Sequence, residues 1–272
     1  MNIPPLPLAS RPGTEIQFRQ PIMKDALKYS TPDELSDERR VTEYLNHLQE
    51  GTLSDSCDWT AQERRTALWW IMINSRADNL EAFHYSCEHC SEVHTYDFDL
   101  SDLAETVELL TIEPFERVSV PVNGVPTDWT LKPLTGRGQE MLERLRVSLP
   151  ETDAPEYEAA LVRMRIAEFA LCTALDDDPE DFEAAANRRF DIMENMIPDL
   201  EFAPLVAHIQ LMQRNLRHGL RMQITQGQVR LLLPPTPCEK EGMQMNTTQL
   251  FIPFRSGLFI PKFSTQWMAN HH

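Results

Sequence analysis

The stretch His84-Tyr-Ser-Cys87-Glu-His-Cys90-Ser-Glu-Val-His94 (HYSCEHCSEVH, 84–94) gathers three of the chain's eight histidines and two of its five cysteines into eleven residues. Cys87 and Cys90 have the C-x2-C spacing with which a turn bends its backbone around a metal and offers two thiolates. Two thiolates are half a tetrahedral site, so the rest of the chain must supply the others. The segment after the turn, VHTYDFDL (93–100), alternates like a strand. A strand carries His94 roughly 10 Å from the turn unless the chain folds back. A distant ligand is therefore expected, and Cys238 in PCEKEG (237–242) is the candidate, because CEKE repeats the pattern of CEHC with Glu241 in the place of a second cysteine. The expected metal ligands are Cys87, Cys90 and Cys238, with His94 or Glu241 as the fourth, and Cys57 is a further candidate. A C-x2-C turn in a reduced chain is also found as a pair of packed thiols, and both readings stand at this point.

The metal of choice for such a set is zinc in a structural role. A catalytic zinc requires an open fourth position beside a general base, and neither H-E-x-x-H nor H-x-E with P-C-x-x-C occurs in the sequence. A thioredoxin-like use of CEHC fits poorly, since the turn precedes a strand rather than opening a helix after one. Nucleotide loops and the G-x-S-x-G elbow are missing too, and GRG (136–138) reads as the start of a helix. The acid clusters DLSDLAE and LDDDPEDFEA lack the glycine and spacing of a calcium loop and read as solvated helix starts. His208 is expected as a packed imidazole and His218 as a cation at a helix end.

The 272 residues are enough to bury a core without metal staples. With 42 acids against 25 bases and a net charge of −17, neither a nucleic acid nor an anionic membrane is an expected partner. Five cysteines and no signal peptide point to a reduced, cytoplasmic origin, and ALWWIMI (67–73) is too short to span a bilayer.

The expected fold class is α+β: a mainly helical middle, small β-hairpins, a zinc-knuckle-like C-x2-C turn, and extended arms at both ends. MNIPPLPLASRP (1–12) is proline-rich and apolar, so residues 1–13 read as an arm. Residues 14–112 read as a helical and knuckle domain. Within it lie a strand (TEIQFRQP), a helix capped near Ser36 or Asp37 and ended by Gly51, and a second helix begun by Asp58 or Thr60. Glu63 completes a capping box there, and Leu68, Trp69, Met72 and Ile73 form its apolar face. Residues 113–260 read as a hairpin about Asn123-Gly124, four helices up to about residue 216, and a return to strands around the second cysteine turn. Residues 261–272 form a tail. QLFIPFRSGLFIPKF (249–263) is apolar enough to be a partner surface, while its first half could equally pack back on its own domain.

The run DWTAQERRTALWWIMINSR…FHYSCEHCSEVHTYDFDLSDL, together with FRQP near the start and PPTPCEKEG…LFIPFRSGLFIP near the end, resembles baseplate hub proteins of T4-type contractile-tailed phages. The resemblance implies a structural or assembly role with no enzymatic reaction. It implies partners among hub, tube or tape-measure proteins, and a location in the virion tail after assembly in the host cytoplasm. The sequence departs from the family pattern at Glu241, where a second cysteine is expected. A transient assembly chaperone is the alternative, and a zinc-dependent hydrolase a remote one.

Overall fold

The computed structural model describes residues 3–30, 37–225, 228–243 and 245–261, so Ser36, the last eleven residues and Gln244 lie outside the described residues. The fold is α+β. In chain order the elements are β1 (Leu6–Pro7), β2 (Glu15–Phe18), α1 (Met23–Tyr29), α2 (Asp37–Leu48), β3 (Gln49–Glu50), α3 (Ala61–Ile73), β4 (Leu80–Ser86), β5 (Val93–Asp99), β6 (Glu116–Val122) and β7 (Val125–Leu131). There follow α4 (Gly136–Val147), α5 (Tyr157–Leu171), β8 (Thr173–Ala174), α6 (Phe182–Glu194) and α7 (Ala203–Asn215). The described residues continue with β9 (Met222–Thr225), β10 (Gln228–Leu232), β11 (Thr236–Pro237), β12 (Thr247–Thr248), β13 (Phe251–Pro253) and α8 (Ser256–Phe259). The strands pair antiparallel in small sheets ordered β1-β2-β3, β4-β5, β6-β7-β8, β9-β10-β13 and β11-β12. No helix is long and apolar enough to cross a membrane among the described residues.

Helix α3 organises the first core. Thr60 caps it by accepting from the Glu63 backbone N–H, and the Glu63 carboxylate returns to the Thr60 N–H at 2.9 Å, which is the expected capping box. Ala67, Leu68, Trp69, Ile71, Met72 and Ile73 are all buried, so α3 is covered all round rather than along one stripe. One cover is the N-terminal stretch, which is extended as its prolines require but lies on the protein's own body. Ile3, Leu6 and Leu8 enter the core, Trp70 Nε1 donates to the Pro4 carbonyl at 2.8 Å, and Ser10 donates through its N–H and hydroxyl to Glu63. Another is the C-terminal stretch. Leu220, Leu231, Leu233, Phe259 and Ile260 join the same cluster, with Leu250, Ile252 and Phe254 packed against it. The sequence pattern groups residues 220–260 with the helices before them, yet their apolar side chains bury against α3. The apolar run at 249–260 thus packs back on its own chain.

The second core lies between the β6–β7 hairpin and helices α5, α6 and α7, around Trp129, Leu131, Leu205, Ile209 and Met212. Asn123 and Gly124 both take positive φ, 52° and 75°, as a two-residue hairpin turn of the primed type demands. The two cores meet where the starts of α3 and α4 lie side by side. Thr60 and Thr135 form an antiparallel bridge, with Ala61 N–H on the Leu134 carbonyl at 2.8 Å and Gly136 N–H on the Trp59 carbonyl at 2.9 Å. Only glycine fits at 136, because a β-carbon would collide with Arg64 Nη1 and stand 2.9 Å from Cys57 Cα.

Three expectations change. Helix α2 stops at Leu48, and Gly51, at φ +74°, turns the chain after the short strand β3 instead of ending the helix. His208 is solvent-exposed on α7. His218 is the packed imidazole: its Nδ1 donates to the Leu216 carbonyl at 2.6 Å and its Nε2 accepts from the Thr60 hydroxyl at 2.6 Å, and burial holds its pKa below the usual value.

Candidate metal centre

Strands β4 and β5 form a seven-residue hairpin in which Ser86 faces Val93, Tyr85 faces His94 and His84 faces Thr95. The loop between them, 87–92, carries both cysteines of the C-x2-C turn. It closes because Ser91 adopts a left-handed φ of 59°, its N–H returning to the Cys87 carbonyl at 2.9 Å, while Cys87 N–H bonds the Glu92 carbonyl at 3.0 Å. The chain therefore folds back within the loop, and the first inward residue of the returning strand is His94. Its Nε2 lies 3.1 Å from Cys90 Sγ. The strand geometry that argued against His94 applies to a chain leaving the turn straight, and Ser91 removes that condition.

Cys238 arrives from 148 residues beyond Cys90. The short pair β11–β12 sets Thr236 against Thr248 and Pro237 against Thr247, and Cys238 N–H bonds the Asn246 carbonyl at 2.8 Å. The two hairpins dock through several polar contacts. Thr248 Oγ1 lies 3.6 Å from Cys87 Sγ, His89 Nε2 donates to the Thr247 carbonyl at 3.0 Å, and Lys240 Nζ pairs with Glu92 at 2.8 Å.

In the result, Cys87, Cys90, His94 and Cys238 place their donor atoms within 4.8 Å of one another. Zinc–thiolate and zinc–imidazole bonds of about 2.3 and 2.0 Å would set ligand atoms about 3.5–4 Å apart, so the cluster is at the right scale for one tetrahedral ion. Cys87, His94 and Cys238 are buried and Cys90 partly so, and none of the five cysteines forms a disulfide. This Cys3His cluster could hold a metal ion.

Its electrostatics favour a thiolate at Cys87. The N–H groups of Cys90 and His89 point at Cys87 and bring its pKa down to about 6. At Cys238 the Lys240 N–H acts the same way, but burial and the neighbouring thiols Cys87 and Cys90 outweigh it and leave the group raised. Three thiols this close cannot all ionise without a cation between them, and a divalent ion supplies that charge. Lys240, whose own pKa is raised first by its bond to Glu92, adds a positive charge beside Cys90 and Cys238.

The other candidates fall elsewhere. His84 lies on the opposite face of the hairpin from His94, where its Nδ1 contacts Thr95 Oγ1 at 3.0 Å. His89 is spent on Thr247. Glu241 is exposed and outside the cluster, so the place of a second cysteine in CEKE is filled by His94. Cys57 sits with Asp55 and Asp58 near the start of α3. There Arg137 neutralises the acids, pairing with Asp58 at 2.6 Å, and burial pushes the Cys57 thiol up to about 12, so that it remains a neutral packed group. Sequence reasoning missed the outer contacts from Glu239, Thr248 and Glu92, and only the adjacency of Glu239 to Cys238 hinted at one of them.

The sequence matches no protein-family model, and no curated protein or solved structure matches it.

Proposed function

We propose that the Cys3His cluster binds one structural zinc ion, and that the chain is a non-enzymatic structural component of a phage contractile-tail baseplate, in its hub region, where it binds neighbouring tail proteins. The observation that carries the reading is the joining of two cysteine turns, 148 residues apart, into one four-ligand set. Four protein ligands complete a tetrahedron and leave no position for a substrate or an activated water, which favours a holding role over hydrolysis. These two turns are also the motifs on which the resemblance to T4-type hub proteins rests, and their convergence supports treating them as one unit. The third motif, FRQP, has a structural use as well: Arg19 makes a two-pronged ion pair with the buried Asp25. Ile22, Met23 and Leu27 at α1, and Leu109, Ile112 and Phe115 before β6, leave apolar side chains in solvent that a neighbouring subunit would cover. The reading places the protein in the virion tail after assembly in the host cytoplasm.

Mass spectrometry of purified particles from the phage encoding the chain tests the assignment. A baseplate component is recovered at a fixed copy number per particle. Its absence from mature particles, combined with its presence in assembly intermediates, would transfer the assignment to a transient assembly chaperone.

A further inference from the structure

We infer that Glu239 is a positioning residue for the metal: it fixes the tautomer and the orientation of His94. This inference rests on the zinc reading above. His94 is 8 % exposed and held between two partners on opposite ring nitrogens. Its Nδ1 lies 3.2 Å from Glu239 Oε2 and its Nε2 lies 3.1 Å from Cys90 Sγ. A carboxylate offers only lone pairs, so its charge 3.2 Å from Nδ1 favours the tautomer that carries the proton there, which leaves the Nε2 lone pair facing Cys90 and the cluster. With the proton on Nε2 instead, the imidazole would offer the cluster no lone pair and bind no metal. A carboxylate behind a ligating imidazole both selects the tautomer and raises the basicity of the bound nitrogen.

Glu239 is placed for this by the turn that delivers Cys238. The sulfur faces inward from one residue, and the next residue reaches along the outside to the back of the imidazole, so the second cysteine turn supplies a ligand and the orienter of another ligand together. Glu239 is itself 58 % exposed and contributes nothing to either core, so replacing it leaves the fold intact. Glu241 offers an internal control. It is an acid two residues further along the same turn, exposed and outside the cluster.

The test measures zinc affinity of the full-length chain by competition with a chromophoric chelator, alongside long-range 1H–15N spectra of His94 in the zinc-loaded protein. Glu239→Ala is expected to weaken zinc binding by about tenfold or more, in the range typical for loss of an outer-shell partner. It is also expected to broaden or shift the Nδ1–H signal of His94. Glu239→Gln, which keeps a carbonyl acceptor, restores most of the affinity, and Glu241→Gln, which removes the same charge from the same turn without touching a ligand, changes it by less than about threefold. Equal affinity and an unchanged His94 spectrum in Glu239→Ala overturn the role of Glu239 while leaving the zinc reading standing. So does an equal loss in Glu241→Gln, which would reduce the effect to net charge. Failure of the unaltered chain to bind zinc at all overturns both.

Discussion

At the scale of single residues, the chain uses buried charge where its sequence reads as ordinary strand and loop. Asp25 is buried and accepts from Arg19 Nη1 at 2.6 Å, Arg19 Nη2 at 3.1 Å, the Ile22 N–H at 2.8 Å and His47 Nε2 at 3.0 Å. The bond from Arg19 is the largest influence on its carboxyl, which falls from 3.8 to about 2. A depressed acid stabilises the fold above its unfolded pKa, and that stability is lost as pH falls through the folded value. Here the window runs from about pH 4 down to about 2 and is worth about 2 kcal/mol. Asp25→Asn is therefore expected to be less stable than the unaltered chain by about 2 kcal/mol at pH 7, and to close about half of that gap by pH 3, in parallel denaturant titrations. A gap that stays constant over this range would mean that Asp25 is no more ionised in the fold than in the open chain. Nothing in FRQP announces the pair, because Asp25 lies six residues on and reaches Arg19 only after the chain turns into α1.

At the scale of elements, the start of α3 ties three segments together. Thr60 accepts from the Glu63 N–H while donating to His218, and Glu63 accepts from Ser10 of the N-terminal stretch. Thr60→Ala removes the cap and leaves the buried His218 Nε2 without a donor. Together these are expected to cost about 2 kcal/mol in chemical denaturation, with Thr60→Ser retaining nearly all of it. A loss of only about 1 kcal/mol would show that the cap acts alone and the His218 contact adds nothing. The capping box itself was legible, as were the turn at Asn123-Gly124, the α4–α7 helices and the strands near the C-terminus, because each rests on spacing or turn chemistry a few residues long. Strand β4 was not, since LEAFHYS (80–86) lacks the alternation that marks β5 and is a strand through its pairing with β5. The two-residue strands β3 and β8 likewise exist only through their partners, β2 and β7. His94 was named as one of two choices for the fourth ligand, and the choice between it and Glu241 depended on the left-handed Ser91, for which no glycine or asparagine gives a signal.

At the scale of the whole molecule, the described N-terminal stretch from residue 3 and the segment after α7 converge on the same body. The N-terminal stretch and the segment after α7 both bury apolar side chains around α3, and the cysteine cluster pins the second of these to the β4–β5 hairpin. Without an ion, a handful of apolar side chains and a few polar contacts such as Lys240–Glu92 hold the C-terminal segment, whereas an ion at the cluster closes a loop of 148 residues between Cys90 and Cys238. By analogy with other cross-links over loops of that length, closure contributes about 5 kcal/mol, equivalent to roughly 10 °C in Tm for a domain of this size. The measurement that bears most directly on this clasp is metal analysis of the purified chain, paired with its melting temperature with and without a strong chelator. A zinc clasp predicts one zinc per chain, a fall of roughly 10 °C when the metal is removed, and no zinc and no chelator response in Cys238→Ser. A chain purified without metal, unable to take up added zinc and melting at the same temperature in chelator, would contradict it and leave the four side chains as packed thiols around an imidazole.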